Sequence, residues 1–336
     1  MRTPAARGVV LLAAMLALGG LLDARGLRKQ AEIQPPGVQR DVALALTRPL
    51  LDVSSFLRLD RPRHALQVAI GRRDEDRVDT SVDFGPPPVR HTPRPAPQPV
   101  AHTPTPEPKP KPKPKARFTA SHPLRIWVAG DSLAEVPGQA LERAASGREP
   151  IRILRVESRL STGLGRPDLY NWFVRIRQAI PALHPNVAVL SFGADDAHNY
   201  MSGVPKGRTI GKLGSPTWDA EYLRRVSGVT RELNRAGIYV VWLGLPIPRG
   251  RGFFYSFQKV NAVLREAAAE APHAAYLSTW QLLSTKNGKY ADYLRDGHGR
   301  LVQMRASDGV HYTQAAGDLI ARTLLQRLGR VYTLGG

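Results

Sequence analysis

A serine that follows an apolar segment, and an acid and a histidine near the other end of the chain, are the residues best suited to chemistry. The apolar run at residues 124–129 predicts a buried strand and continues into a Gly-Asp-Ser triplet that ends at Ser132. Asp308 and His311 lie just ahead of an apolar helical pattern. A serine hydroxyl is a weak nucleophile unless a base accepts its proton and an acid orients that base. These residues predict hydrolysis or transfer of an acyl group.

The elements that must position these residues alternate along the chain after residue 118. Predicted strands lie at 124–129, 151–156, 187–192, 238–243 and 274–277, and predicted helices at 133–145, 170–183, 218–236, 257–271 and 313–328. Such alternation indicates a mostly parallel sheet with helices on both faces. Ligands of open α/β sheets bind at the carboxyl edge of the strands, where Ser132 would lie. Residues 199–216, rich in Gly, Pro and basic residues, predict a loop over this edge.

Two further loops accompany the Gly-Asp-Ser triplet and the Asp308–His311 segment. One is Ser161–Gly165, and the other, Phe192–Asp196, reads Phe-Gly-Ala-Asp-Asp. In this order the four motifs resemble those of the GDSL/SGNH hydrolase superfamily, over nearly all of residues 118–336. The resemblance implies a three-layer α/β/α, flavodoxin-like domain with a mostly parallel five-stranded sheet. It also implies a serine ester hydrolase, with Ser132 as nucleophile, His311 as base and Asp308 as orienting acid, and no cofactor.

The same resemblance assigns the groups that stabilise the oxyanion. Two are the backbone N–H groups of Ser132 and Gly163, with Gly165 as a less favoured substitute for Gly163. The third position, an Asn in the superfamily, holds Asp195. An ionised carboxylate only accepts hydrogen bonds and would repel the developing negative charge. Three outcomes stay open: Asp195 is protonated, Asn199 supplies an amide, or the site is slow or inactive.

Other residues near these motifs are candidates for contacts with substrate. We predict that Asp196, Asn199 and Tyr200 bind substrate. The aromatic residues 253–255 are expected in a loop near the active edge, where they would line an acyl or sugar pocket or pack in the core.

A metallohydrolase is the alternative interpretation of the acidic residues in these motifs. Its candidate ligands would be Asp131, Asp195, Asp196, Asp308 and His311. They show no compact metal-binding spacing, so no metal ligand is predicted.

The N-terminal part predicts export and attachment to a membrane. Arg2 and Arg7 precede an uncharged stretch at residues 8–22, which fits the apolar region of an export signal and is short for a full span. We predict a signal anchor over residues 1–29, with a cleaved signal peptide as the alternative, and a membrane-proximal helical segment over 30–84. Residues 85–117 form a Pro/Lys-rich linker, expected as polyproline II, with a reach on the order of 90 Å. The hydrolase domain takes 118–336.

The charge and the cysteine content of the chain limit the partners and the chemistry that it can have. The net charge of +20 is spread along the chain, without a compact basic cluster interleaved with aromatics, so nucleic acid is not a predicted partner. Such basicity suits a surface that faces anionic lipid or acidic cell-wall polymer, which the linker would also contact. The chain has no cysteine, which excludes disulfide and thiolate chemistry.

The sequence therefore predicts a serine esterase tethered to the cytoplasmic membrane, with its catalytic domain in the periplasm or outside the cell. Its expected substrates are ester groups, above all O-acetyl groups, of cell-envelope or extracellular glycans, or small esters. Two alternatives stay open. One is an O-acyltransferase that uses the same site on a sugar hydroxyl, and the other is a catalytically degenerate module that binds glycan or a partner.

Overall fold

The computed structural model describes residues 4–70, 76–84 and 115–335, and the chain divides into two compact units, Met1–Thr80 and Ser81–Gly336. The first unit contains four helices in its described part: α1 (Pro4–Leu22), α2 (Ala24–Glu32), α3 (Val38–Phe56) and α4 (Arg61–Ala69). Within the described residues, no single helix is long and apolar enough to cross a membrane. The pair Arg7–Leu22 and Ala24–Glu32, bent by 74°, reaches the required length and composition together.

The second unit is built around a parallel sheet. Its strands are β1 (Arg117–Phe118), β2 (Leu124–Gly130), β3 (Ile151–Ser158), β4 (Val187–Ser191), β5 (Tyr239–Leu243), β6 (Ala274–Leu277), β7 (Tyr293–Arg295), β8 (Leu301–Gln303) and β9 (Thr333–Leu334). Its helices are α5 (Glu135–Ala145), α6 (Trp172–Leu183), α7 (Pro216–Arg235), α8 (Arg251–Glu270), α9 (Thr279–Leu282) and α10 (Gln314–Val331). Five strands form the central sheet in the order β3-β2-β4-β5-β6, and every neighbouring pair is parallel.

Helices cover this sheet in two layers, which confirms the predicted three-layer α/β/α fold. Helix α5 packs against α10, and α7 packs against α6 and α8. Strands β2 and β4 lie in the interior of the sheet, and all five residues of β4 are buried. Strands covered on both faces are apolar along their whole length, because neither face meets water. This is why the apolar runs at residues 124–129 and 187–192 predict strands correctly.

Helix α8 begins earlier than the sequence predicts. The prediction places its start at residue 257, whereas the helix begins at Arg251. Phe253, Phe254 and Tyr255 therefore belong to its first turns and not to a loop. The Pro- and Gly-rich stretch before Arg251 favours a loop, and Gly250 precedes the helix without a side-chain cap that would have marked the start.

Residues Ser81–Phe84 form a short strap that packs on the second unit. Phe84 is buried, and its ring meets that of Phe173 edge-on at 4.9 Å between centroids. Gly228 makes room for this contact, since a Cβ at that position would overlap the Phe84 ring. The Arg231 guanidinium also donates to the carbonyl of Phe84 at 3.2 Å.

The compact units divide the chain four residues earlier than the end of the predicted helical segment. The predicted helical segment extends through residue 84, but its last four residues belong to the second unit. The chain is next described at Lys115, and β1 pairs with β9 of the same unit. Most of the predicted linker, residues 85–114, lies outside the described residues, and its assignment as a linker stays a prediction.

Candidate active site

The nucleophile candidate lies in a tight turn at the carboxyl end of β2. The strand ends at Gly130, where a Cβ would overlap the carbonyl of Ser191 on the neighbouring strand. Only glycine therefore allows this close approach. Ser132 then opens a one-turn 3-10 helix, Ser132–Ala134, and its side chain is partly exposed. The fold presents the hydroxyl at the edge where open α/β sheets bind their ligands.

The three residues with triad chemistry are in hydrogen-bonding contact, although 179 positions separate Ser132 from His311. The His311 Nε2 atom lies 2.8 Å from the Ser132 Oγ atom. The His311 Nδ1 atom lies 2.5 Å from an Asp308 carboxylate oxygen. With Nδ1 protonated toward the acid, Nε2 is free to accept the serine proton, which is the geometry a general base needs.

Asp308 is held in place by the backbone that follows it. Its other carboxylate oxygen accepts the N–H of Val310 at 2.8 Å and the N–H of His311 at 3.0 Å. Burial opposes ionisation of this group, but these hydrogen bonds and that of the His311 side chain outweigh it and lower the pKa of Asp308. The acid is therefore charged at neutral pH and can orient and stabilise a protonated imidazole.

Asp131, beside the nucleophile, ties two loops of the site together. Its side chain is fully buried and accepts the N–H of Leu133 with one oxygen and the N–H groups of Gly193 and Ala194 with the other. Burial, followed by the charge of Asp195, raises the pKa of Asp131 well above its ordinary value. The sequence analysis considers Asp131 only as a metal ligand. Its position directly before Ser132 is the one sequence feature that could have indicated a role in shaping the turn.

Asp196 supports the loop that carries Gly163. Its carboxylate accepts the N–H of Leu164 at 3.0 Å, the N–H of Gly165 at 2.6 Å and the hydroxyl of Tyr222 at 2.7 Å. The side chain is buried, and burial raises the pKa of Asp196 despite these hydrogen bonds. The prediction that Asp196 binds substrate is therefore corrected, because its oxygens are occupied inside the protein.

The rest of the support for this loop comes from α7, which no sequence signal links to the site. Arg225 is fully buried and donates to the carbonyls of Leu164, at 2.8 Å, and Ser202, at 2.7 Å. Glu221 accepts from Arg225 at 2.8 Å and balances its charge. Tyr222 and Arg225 are one helical turn apart on α7. Tyr222 donates to Asp196 and Arg225 donates to the Leu164 carbonyl, and these contacts form only in the folded chain.

Two predicted oxyanion donors are free within the part of the chain that the structure describes. Neither the N–H of Ser132 nor that of Gly163 has a hydrogen-bond partner among those residues. Gly165, the less favoured substitute, has its N–H committed to Asp196. A Cβ on Gly163 would overlap the Asp196 carboxylate, so this position requires glycine.

Asp195, the third predicted oxyanion position, is half-buried among other charged groups. Burial and then the charge of Asp196 raise the pKa of Asp195, while His198 and His311 act in the opposite direction. A raised pKa extends to higher pH the range in which this carboxyl is protonated and can donate a hydrogen bond.

Asn199 and Tyr200 lie in the loop after β4 and differ in what they contact. The Asn199 side-chain oxygen accepts the N–H of Leu213 at 2.8 Å, which pins the two ends of this loop together. Among the described residues no hydrogen bond joins Asn199 to the triad, and a role for its amide at the oxyanion stays a prediction. The Tyr200 ring lies under the Arg166 guanidinium, 5.2 Å from its centroid, and is partly exposed.

The fold and the paired side chains define an α/β/α protein with a Ser-His-Asp triad at the carboxyl edge of its sheet, as the resemblance to GDSL/SGNH hydrolases predicts. The chain belongs to the family described as "Protein of unknown function (DUF459)", which it matches over residues 125–327. That range includes Ser132, Gly163, Asp195 and His311. No curated protein compared with the chain matches it.

Several solved structures are similar to the chain at low sequence identity. A GDSL-like lipase from Bacteroides thetaiotaomicron VPI-5482 is 14% identical with a TM-score of 0.42, covering 62% of this chain and 88% of the lipase. LAE5, an alpha/beta hydrolase from the metagenome of Lake Arreo, Spain, is 12% identical with a TM-score of 0.44, covering 65% and 98%. The psychrotrophic esterase EstA from Pseudoalteromonas sp. is 12% identical with a TM-score of 0.41, covering 62% and 97%. Likenesses this distant carry no argument about activity, which must come from the site itself.

Proposed function

We propose that this protein is a serine ester hydrolase that works through an acyl-enzyme at Ser132. The observation that carries the proposal is the chain of contacts from Asp308 through His311 to the Ser132 hydroxyl, at 2.5 Å and 2.8 Å. Groups this close, at a partly exposed carboxyl edge, are what activation of a serine requires. The superfamily resemblance supports the same interpretation.

In the proposed reaction the Ser132 Oγ atom attacks the ester carbonyl while His311 Nε2 accepts its proton. The N–H groups of Ser132 and Gly163 stabilise the oxyanion, with a third donor from Asp195 when that carboxyl is protonated. The imidazolium, stabilised by Asp308, then gives its proton to the leaving alcohol. Water attacks the acyl-enzyme with His311 again as base, which releases the acid and restores the serine.

The test is an esterase assay of the purified protein with p-nitrophenyl acetate. Ser132→Ala should lower kcat by about 10⁶, to background, while thermal unfolding stays unchanged. The matched control is Ser121→Ala, because the Ser121 hydroxyl also lies 3.2 Å from a histidine nitrogen, that of His122, at an exposed position outside the motifs. Equal activity of wild type and Ser132→Ala would refute the proposal.

The proposal extends to the cellular location of the protein and to the class of its substrate. The apolar helix α1 exposes Leu11, Leu12 and Leu16, and together with the bent pair of helices it supports tethering to the cytoplasmic membrane through the N-terminal residues. We propose that the catalytic unit works in the periplasm or outside the cell on acylated glycans, chiefly O-acetyl esters. Release of acetate from acetylated envelope glycans by wild type, and not by Ser132→Ala, is the expected result.

Asp195 is the observation that favours a second candidate, a non-catalytic module that binds glycan or a partner. A charged carboxylate at the oxyanion would suppress turnover without disturbing the fold. A serine-directed fluorophosphonate separates the two, since the esterase would be labelled at Ser132 and the module would not. Transfer of the acyl group to an added sugar would identify an O-acyltransferase on the same site.

A further inference from the structure

Two segments beside the candidate active site are basic and free of acidic residues. Residues 197–218 and 244–265 contain no Asp or Glu. Their basic residues are Lys206, Arg208, Lys212, Arg249, Arg251, Lys259 and Arg265. With 28 acidic residues in the chain, two such stretches that both include residues near the active edge are a marked segregation of charge. The sequence alone shows no compact cluster, because these charges are divided between two distant segments.

The fold brings the two segments together. A Cβ on Gly214 would overlap the Tyr255 hydroxyl and lie close to the Lys259 side chain, so the loop after Lys212 lies directly on α8. The Lys259 ammonium is 5.6 Å from the centroid of the Tyr255 ring. The end of the loop at Lys212–Gly214 and the first turns of α8 therefore form one continuous surface.

This surface also carries large apolar side chains. Three consecutive aromatic residues at the start of α8, Phe253, Phe254 and Tyr255, are exposed by 51%, 41% and 53% of their surface. Single exposed apolar residues are ordinary, but three adjacent aromatics among basic residues mark a binding surface. We name this surface the basic–aromatic face, defined by Lys212–Gly214, Arg251, Phe253–Tyr255 and Lys259.

The basic–aromatic face adjoins the histidine of the triad. The N–H of Arg249 donates to the carbonyl of Gly309 at 3.0 Å, and the Arg249 side chain donates to that of Ser307 at 2.9 Å. Arg249 is itself paired with Asp292, so it connects the two regions and is not one of the charges of the face. The face and the Ser132 hydroxyl thus open on the same edge of the sheet.

We propose that the basic–aromatic face docks on an anionic lipid surface. Basic side chains near such a surface each contribute about 1 kcal/mol of attraction, and aromatic rings favour the headgroup level of a bilayer. The Phe253 ring contacts Phe257 and the Phe254 ring contacts Trp280, yet about half of each Phe side chain stays exposed. A soluble anionic polymer would pair with the charges and leave these exposed parts in water, so the combination favours lipid. If the proposed esterase activity holds, docking presents Ser132 to esters at the membrane surface.

The chain has no cysteine, so a single introduced cysteine can carry an environment-sensitive fluorophore. Gly252 in α8 is exposed and lies on the basic–aromatic face, and a Cβ added there would meet no other atom within 4 Å. Gly329 in α10 has the same open surroundings. Helix α10 begins at the active edge, and Gly329 lies about 22 Å further along its axis, near the opposite end of the domain.

The experiment uses the full chain with Ser132→Ala, so that docking is measured without any ester turnover. Gly252→Cys and Gly329→Cys are labelled and compared in vesicles of phosphatidylcholine, with and without phosphatidylglycerol. We expect a blue shift of the Gly252→Cys label only in the anionic vesicles, and none for Gly329→Cys. Helix α1 is present in both measurements. A difference in label fluorescence between neutral and anionic vesicles therefore reports contact of the basic–aromatic face with anionic lipid.

Variants that remove two charges at a time measure how much the basic residues contribute to docking. Arg251→Gln with Lys259→Gln should weaken docking about 25-fold, from two charges at about 1 kcal/mol each. Arg322→Gln with Arg330→Gln, two exposed residues of α10, removes equal charge elsewhere and should change docking little. The proposal is overturned if the Gly252→Cys label shows no shift, if both labels shift equally, or if it responds to dextran sulfate but not to anionic vesicles.

Discussion

Replacing Asp195 with asparagine is the sharpest test of how the site stabilises an oxyanion. Within the described residues the site offers two free donors, the N–H groups of Ser132 and Gly163. An asparagine amide would add a third donor at any pH, and one such donor typically contributes about 10²–10³ in kcat. We therefore expect Asp195→Asn to raise kcat by about 10² at any pH at which the wild-type carboxyl is ionised, and we take pH 8 as the test condition.

The pH dependence follows from the direction of the pKa shift. Burial and the neighbouring Asp196 raise the pKa of Asp195, so protonation persists to a higher pH than for an ordinary carboxyl. Below that pKa the wild type has its own third donor, and above it the donor is lost. The advantage of Asp195→Asn should therefore be large at alkaline pH and shrink as the pH falls toward the pKa of Asp195.

Asp195→Ala separates donation from charge. It removes the negative charge without adding a donor, so its kcat at pH 8 should fall between those of the wild type and Asp195→Asn. The assay is kcat for p-nitrophenyl acetate from pH 5 to 9, with Ser132→Ala as background. A loss of activity in Asp195→Asn, or a gain that does not change with pH, would refute this account of the oxyanion site.

Three further substitutions test other parts of the structure. Asp308→Ala removes the acid that orients the base and should lower kcat by about 10⁴ in the same assay, with little change in KM. Gly163→Ala forces a Cβ into the Asp196 carboxylate and should both reduce kcat and destabilise the fold by about 1–3 kcal/mol in urea unfolding; normal stability and activity would show that the loop relaxes freely. Phe84→Ala empties the contact with Phe173 and should cost about 3 kcal/mol in urea unfolding, and no loss would mean that the strap contributes nothing to the second unit.

Much of the second unit was predictable because its sheet is buried on both faces. The predicted strand at residues 274–277 coincides with β6, and that at 124–129 ends one residue before β2 does. The glycine-rich loops follow strand ends, so their common location at the carboxyl edge follows from parallel pairing. The sequence prediction agrees with the fold wherever the residues of a single strand or loop carry the whole pattern.

The features missed by sequence reasoning depend on contacts between distant residues. Nothing near Asp196 indicates that Tyr222, 26 residues further on, will occupy its carboxylate. The two-residue strands β1 and β9 are too short for a periodic pattern, and their pairing joins residues 117–118 to residues near the C-terminal end of the unit. The basic–aromatic face combines charges from two segments that are neighbours only after folding.

The strap at Ser81–Phe84 has a mechanical consequence for the second unit. Because the Phe84 ring packs on Phe173 and its carbonyl accepts from Arg231, any pull that reaches Phe84 from the residues before it meets these contacts first. The load therefore enters the unit through α6 and α7, which carry Phe173 and Arg231, and not directly through the central sheet.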